Sequence, residues 1–175
     1  MLKFYPKLNL ELKAAINKTY YNSPIGTLEI EGGQDFISAL HFVNSEGDEI
    51  SIDYLDYCRN QLDEYFNGKR IDFDLTLAPD STDFQLRVWK ELVKIPFGVT
   101  KSYMHVTKRL GDEKAIRAVA NANGQNKIPV IIPCHRVIGS DGSLTGYGGG
   151  LWRKKWLLNH EKKYYSGESQ LEMGF

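Results

Sequence analysis

The chain of 175 residues predicts an α+β fold: a small N-terminal α/β domain over residues 1–80, with an antiparallel sheet and a helix, then a mainly helical domain over 81–175 containing a helix-turn-helix. Three observations predict it. Apolar and polar residues alternate in short runs around Pro/Gly turns in the first part, helical spacing with glycine stops dominates the second, and the charge changes sign between them. Lys and Arg number 7 against 15 Asp and Glu in residues 1–83, but 15 against 5 in residues 84–165, within a formal net charge of zero. A basic half beside an acidic one points to a polyanionic partner, or to two faces that attract across a domain interface.

The elements follow in chain order. Thr19 to Glu31 alternates around Ser23-Pro24-Ile25-Gly26, the pattern of two strands joined by a turn. After Gly32-Gly33, Phe36 to Val43 is a further apolar segment, Ser45-Glu46-Gly47-Asp48 is a turn, and Glu49 to Ile52 is expected to return as a strand. From Asp53 to Phe66, the residues Tyr54, Leu55, Cys58, Leu62, Tyr65 and Phe66 recur at helical spacing, with Asn67-Gly68 as the stop. Cys58 sits on that stripe and reads as a core cysteine. Residues 71–83 read as a strand followed by a linker.

The second half opens with a helical pattern through Phe84, Val88, Trp89, Leu92 and Val93, ended by Ile95-Pro96-Phe97-Gly98. Two short helices, about Tyr103 to Leu110 and Glu113 to Ala122, flank Gly111-Asp112 in the manner of a helix-turn-helix. That pattern alone is weak, because many helical hairpins bind nothing. Along Leu151 to Lys163, Trp152, Trp156, Leu157 and Leu158 supply a core face and the basic residues a solvated one. The run Gly146-Tyr147-Gly148-Gly149-Gly150 lacks the strand, helix and lysine context of a phosphate loop, and reads as one wall of a pocket.

Composition narrows the class. Hydrophobic residues make up 42% of the chain, enough for a real core, and no run approaches the roughly 18 apolar residues of a membrane span. The N-terminus lacks the apolar core and cleavage site of a secretory signal, so a cytoplasmic protein with no membrane partner is expected. Two cysteines and four histidines fit neither a disulfide framework nor a zinc spacing, so no metal is expected and no other cofactor is implied.

The chemistry concentrates in Ile131-Ile132-Pro133-Cys134-His135-Arg136-Val137-Ile138, an apolar, strand-like stretch. A cysteine is a good nucleophile only as its thiolate, and adjacent cationic or proton-accepting groups are expected to lower its pKa. The alternative is an inert buried cysteine.

Taken together, Phe84-Gln85 with Val88-Trp89, Ile95-Pro96-Phe97-Gly98, Ser102-Tyr103, Arg117-Ala118-Val119, Asn126, Pro133 to Val137, and Gly146-Tyr147 through Glu161 closely resemble the O6-alkylguanine-DNA alkyltransferases. The resemblance, of the stand-alone bacterial or archaeal form, is continuous from about 84 to 162. It extends more weakly to Ser23-Pro24-Ile25-Gly26, Gln61-Leu62 and Tyr65-Phe66.

It implies a single-turnover DNA repair protein in which Cys134 takes an alkyl group, such as methyl, irreversibly from guanine O6. The implied partner is double-stranded DNA containing O6-alkylguanine, bound through the minor groove by a monomer. His135 would act through a water as base, held by Glu161. Arg117 would enter the stack left by the flipped nucleotide, beside the small Ala115 and Ala118. Tyr103 would rotate the phosphate and donate a hydrogen bond to the base ring. Asn126 would brace the turn before the cysteine segment, where Lys127 replaces the family's usual proline. Val137 would offer its carbonyl to the guanine amino group, Ser140 would contact DNA, and Tyr147 would wall the pocket. Gly148 stands where some relatives carry serine, which implies room for groups larger than methyl. The zinc site of some relatives needs N-terminal cysteines that are absent here. The alternative within the resemblance is a protein that recognises alkylguanine without accepting the group, and such proteins lack the reactive cysteine.

Overall fold

A computed structural model describes residues 2–5, 16–50 and 52–165. The N-terminal sheet grows from the hairpin expected around Pro24. Strands β2 (Asn17–Ser23) and β3 (Gly26–Gly32) pair antiparallel from Asn17 opposite Gly32 to Ser23 opposite Gly26. Gly26 takes φ 112°, which a side chain would resist, and the Ser23 hydroxyl donates to its carbonyl at 2.6 Å to close the turn. Strand β4 (Ile37–Val43) adds antiparallel to β3. Two short strands, β1 (Lys3–Phe4) and β5 (Thr76–Leu77), complete a five-stranded sheet in the order β1-β5-β4-β3-β2 among the described residues.

Helix α1 (Asp53–Phe66) lies across β2 and β3, because its apolar stripe of Leu55, Cys58, Leu62, Tyr65 and Phe66 is the face that the sheet can bury. Cys58 is fully buried in that stripe, as its spacing predicts. The strand expected over Glu49 to Ile52 does not form. Residue 51 lies outside the described residues, Ile50 is 62% exposed, and a bond from its N–H to the Lys18 carbonyl ties the segment to the sheet edge. Without a buried face on that edge, alternation alone could not order a strand.

The rest of the described chain is mainly helical, as expected. Helix α2 (Asp83–Leu92) starts at a reciprocal cap in which the Thr82 hydroxyl accepts from Gln85 N–H and the Gln85 side chain accepts from Thr82 N–H. Helices α3 (Tyr103–Arg109) and α4 (Ile116–Gly124) form the helix-turn-helix. A single 3-10 turn, Glu113–Ala115, leads into α4, and Gly111 at φ 83° makes the bend between them. Trp89, fully buried on α2, donates from Nε1 to the Ala122 carbonyl at 2.8 Å and fixes α4 against α2.

A two-stranded parallel pair, β6 (Lys101–Ser102) with β7 (Val137–Ile138), joins the start of α3 to the cysteine segment. Helix α5 (Leu151–Tyr164) closes the core. The strand-like reading of 131–138 holds only for β7. Cys134–Arg136 form a 3-10 turn, so their side chains diverge instead of alternating across a pleat. The preceding segment is strained, because the fully buried Val130 sits at φ 73°, a conformation that a β-branched residue adopts only when packing forces it.

Candidate active site

The 3-10 turn at 134–136 sends Cys134 one way and His135 and Arg136 another. Cys134, 4% exposed, faces a cavity of about 240 Å³, whose lining includes Asn126, Pro129, Tyr147 and Gly148. His135 is fully buried and turned toward α5, where its Nε2 lies 2.7 Å from Glu161 Oε1. Arg136 also turns to α5 and donates from Nε to both Glu161 oxygens, at 3.2 and 3.0 Å, and from Nη2 to Oε1 at 2.9 Å. Its Nη1 donates to the Ile95 carbonyl, so Ile95-Pro96-Phe97-Gly98 serves the site as well as ending a helix.

Glu161 is therefore no surface charge of helix α5. It is 1% exposed and also accepts from the Tyr65 hydroxyl at 2.8 Å and from Gly98 N–H at 2.9 Å. Burial alone would push its carboxyl up, but the attraction and hydrogen bond of His135, followed by those of Arg136, hold it well below the usual carboxylate range. An ionised carboxylate can only accept, so His135 carries its hydrogen on Nε2 and leaves Nδ1 with a lone pair. Nδ1 is buried without a hydrogen-bond partner among the described residues. Burial also lowers the His135 pKa against the pull of Glu161, which keeps the ring neutral.

The thiol differs from expectation. Neighbouring groups were expected to lower its pKa, yet burial raises it to about 11, with the Asn126 hydrogen bond and the Lys154 charge pulling the other way. Arg136 does not act on the sulfur because Glu161 holds it. Asn126 Nδ2 reaches both the Ile132 carbonyl at 2.8 Å and Cys134 Sγ at 3.1 Å, while its Oδ1 accepts from Ile128 N–H at 3.0 Å. One amide thus ties the turn to the sulfur, and a bond from Leu40 N–H to the Lys127 carbonyl at 2.8 Å ties the turn to β4.

Three more residues of the site escaped the sequence reading. Lys154 falls among the basic residues assigned to a solvated helix face, but it is fully buried and donates to the Val137 and Thr145 carbonyls, both at 2.7 Å. Burial brings its pKa down to about 8. The signal was available: Lys154 precedes Glu161 by two turns on one face of α5. Asn123 is buried between the Tyr103 hydroxyl, 3.5 Å away, and the Cys134 carbonyl at 3.4 Å. Tyr65 comes from the other half of the chain, and no local pattern announces its bond to Glu161.

Family models for the 6-O-methylguanine DNA methyltransferase match this chain twice: the ribonuclease-like domain over residues 16–79 and the DNA binding domain over 83–163. A methylated-DNA--protein-cysteine methyltransferase of Methanosarcina barkeri is 44% identical over 153 residues, covering 82% of this chain and 97% of the relative. The chain belongs to the 6-O-methylguanine DNA methyltransferase family.

Solved members of this methyltransferase family share the fold. The O6-methylguanine methyltransferase of Mycobacterium tuberculosis superposes with a TM-score of 0.79 at 39% identity, covering 90% of this chain and 99% of that one. The same organism's protein in complex with DNA superposes with a TM-score of 0.77 at 40% identity, covering 87% and 97%.

The remaining residues singled out for the methyltransferase lie around this centre or on its outer face. Tyr103, at the start of α3, donates to the Thr145 carbonyl over a long 3.3 Å. Burial raises its pKa, so the hydroxyl stays protonated. Tyr147 lines the cavity with its buried hydroxyl unpaired among the described residues. A Cβ at Gly148 would meet only the Gly124 carbonyl, at 3.4 Å. Val137 is buried, and its carbonyl already accepts from Lys154. Arg117 and Ala118 are exposed on the first turn of α4, and Ser140 is exposed beyond β7, so the structure does not join these three to the buried network. Among the described residues no group of three or more His, Cys, Asp or Glu side chains could hold a metal, and no helix is long and apolar enough to cross a membrane.

Proposed function

We propose that this protein repairs alkylated DNA by transferring an alkyl group from guanine O6 to Cys134, once per molecule. The observation that carries the reading is a thiol facing a cavity, backed by an imidazole whose outer nitrogen is bound by a buried carboxylate and whose inner nitrogen is unpaired. That arrangement is a nucleophile, a base and an orienting group.

In this reading His135 Nδ1 takes the Cys134 proton through a water, and Glu161 stabilises the imidazolium that results. The thiolate sulfur attacks the alkyl carbon, the S–C bond forms, and the C–O6 bond breaks with its electron pair passing to guanine. Tyr103 leaves its long bond to Thr145 and donates to the base ring, an assistance worth about 10²- to 10⁴-fold for a positioned acid. A thioether has no easy hydrolytic exit, so the sulfur is spent.

A stacked base cannot reach a buried sulfur, so the nucleotide has to flip out, at a cost of a few kcal/mol. Arg117 fills the gap, and Ala118 and Ala115 let α4 approach the minor groove closely. The second lone pair of the Val137 carbonyl is left for the guanine amino group, Ser140 contacts the backbone, and Tyr147 and Gly148 wall the base. We assign recognition and chemistry to a domain of residues 81–175, preceded by one of residues 1–80, acting as a monomer on double-stranded DNA. The excess of 15 basic over 5 acidic residues in 84–165 supports a DNA partner, whose binding should weaken steeply with added salt.

The test is to mix the protein with a duplex carrying O6-methylguanine and weigh the intact protein and its peptides. The expected result is one added methyl, on the Cys134 peptide, absent in Cys134→Ala. Protein that binds the duplex and stays unmodified would replace this reading with recognition alone.

A further inference from the structure

The cavity before Cys134 is not built by the C-terminal half alone. Leu40, His41 and Phe42, at the end of β4, line it together with Pro129 and Gly148. The Phe42 ring in particular is held in place. The Arg153 guanidinium lies 4.4 Å from its centroid and equally 4.4 Å from the Trp152 ring. Arg153 cannot easily swing away, because Nε donates to the Ile25 carbonyl and Nη1 to the Gly149 carbonyl, both at 2.7 Å. One side chain thus clamps the β2-β3 turn, the Phe42 ring and the glycine loop into a single wall. The packing leaves no slack at Gly149, where a Cβ would stand 2.8 Å from the ring.

We propose that Phe42 is a specificity-determining residue of the transfer reaction: its clamped ring is the wall, supplied by the N-terminal sheet, that limits the size of the alkyl group reaching Cys134. The inference rests on the transfer reading above. Gly148, next along the loop, has room, since a Cβ there would meet only the Gly124 carbonyl, at 3.4 Å. The limit therefore falls on the ring that cannot yield. A wall that rejects by steric fit discriminates by about 10- to 200-fold per methylene in apolar pockets, so removing it should change the preference by at least about 10-fold.

The experiment measures second-order rate constants of the full chain on duplexes carrying O6-methylguanine or O6-benzylguanine, read as mass added to the Cys134 peptide. The benzyl-to-methyl ratio should rise about 10-fold or more in Phe42→Ala and by a smaller factor in Phe42→Leu. A ratio unchanged or lowered in both variants overturns the proposal. Thermal melting accompanies each variant, and if Phe42→Ala does not fold, Phe42→Leu decides by the same criterion. Wild-type protein that gains no mass from either duplex would overturn the transfer reading, and this proposal with it.

Discussion

The buried centre at Cys134 and the exposed turn of α4 at Arg117 belong to the same half of the chain, but they are built on opposite principles. Glu161 receives hydrogen bonds from His135, Arg136, Tyr65 and Gly98, drawn from several elements and both halves of the molecule. Arg117 and Ala118 stand in solvent. The difference teaches that the buried network is organised before any partner arrives, whereas the geometry of the exposed residues proposed to meet DNA is left for the partner to set.

The sharpest way to break the comparison is to remove the hub of the buried side. Glu161→Ala would strand Arg136 as an unpaired buried charge, costing about 3–5 kcal/mol. Denaturant unfolding should record that loss together with loss of alkyl transfer, and a stable, active variant would mean that the centre is not pre-organised. Asn126→Ala is expected to come next. It leaves the Ile132 carbonyl and Ile128 N–H without the amide, about 1–3 kcal/mol for each group that stays unsatisfied, and it removes the hydrogen bond that holds the thiol pKa down. Reaction of Cys134 with iodoacetamide, followed against pH, should then rise at higher pH than in wild type.

Arg117→Ala tests the other side. Unfolding free energy should stay within about 0.5 kcal/mol of wild type, while transfer from a duplex falls about 10- to 100-fold, matching the few kcal/mol of base flipping. Transfer from free O6-benzylguanine, which has no stack to leave, should be nearly unaffected. An equal fall with both substrates would put Arg117 in the chemistry instead.

The smallest expected effect is on pH dependence. His135 and His160 are both held below their ordinary pKa by burial. As pH falls below about 6.5, the unfolded chain binds protons that the folded one refuses, so stability declines with acid. Glu161, held low, adds its own loss once pH falls below about 4.3 toward its folded pKa. Denaturation midpoints at pH 7 and pH 5.5 should therefore differ in favour of pH 7, and equal midpoints would mean that the imidazoles are not desolvated.

Much of this was legible along the chain. Helix α1 and helix α5 start where periodicity places them, because a stripe at helical spacing can be buried only by a helix. Ordered motifs singled out Cys134, His135, Asn126 and Tyr103, which the fold gathers around one centre, and Arg117, which it leaves exposed on α4. The strand expected at Glu49 to Ile52 was not there, since four alternating residues carry no information on whether a sheet edge will bury them.

By itself the sequence determined the helices, the hairpin at Gly26, the basic second half and the candidate cysteine, all of which depend on neighbours within a turn or two. Only the tertiary structure decided that Lys154 points inward, that Tyr65 reaches Glu161 and that Phe42 lines the cavity. The thiol pKa, too, rises instead of falling, because burial outweighs the charges beside it. The physical reason is common to all four: desolvation and hydrogen-bond partners are set by which distant segments close around a group, and no local spacing encodes that.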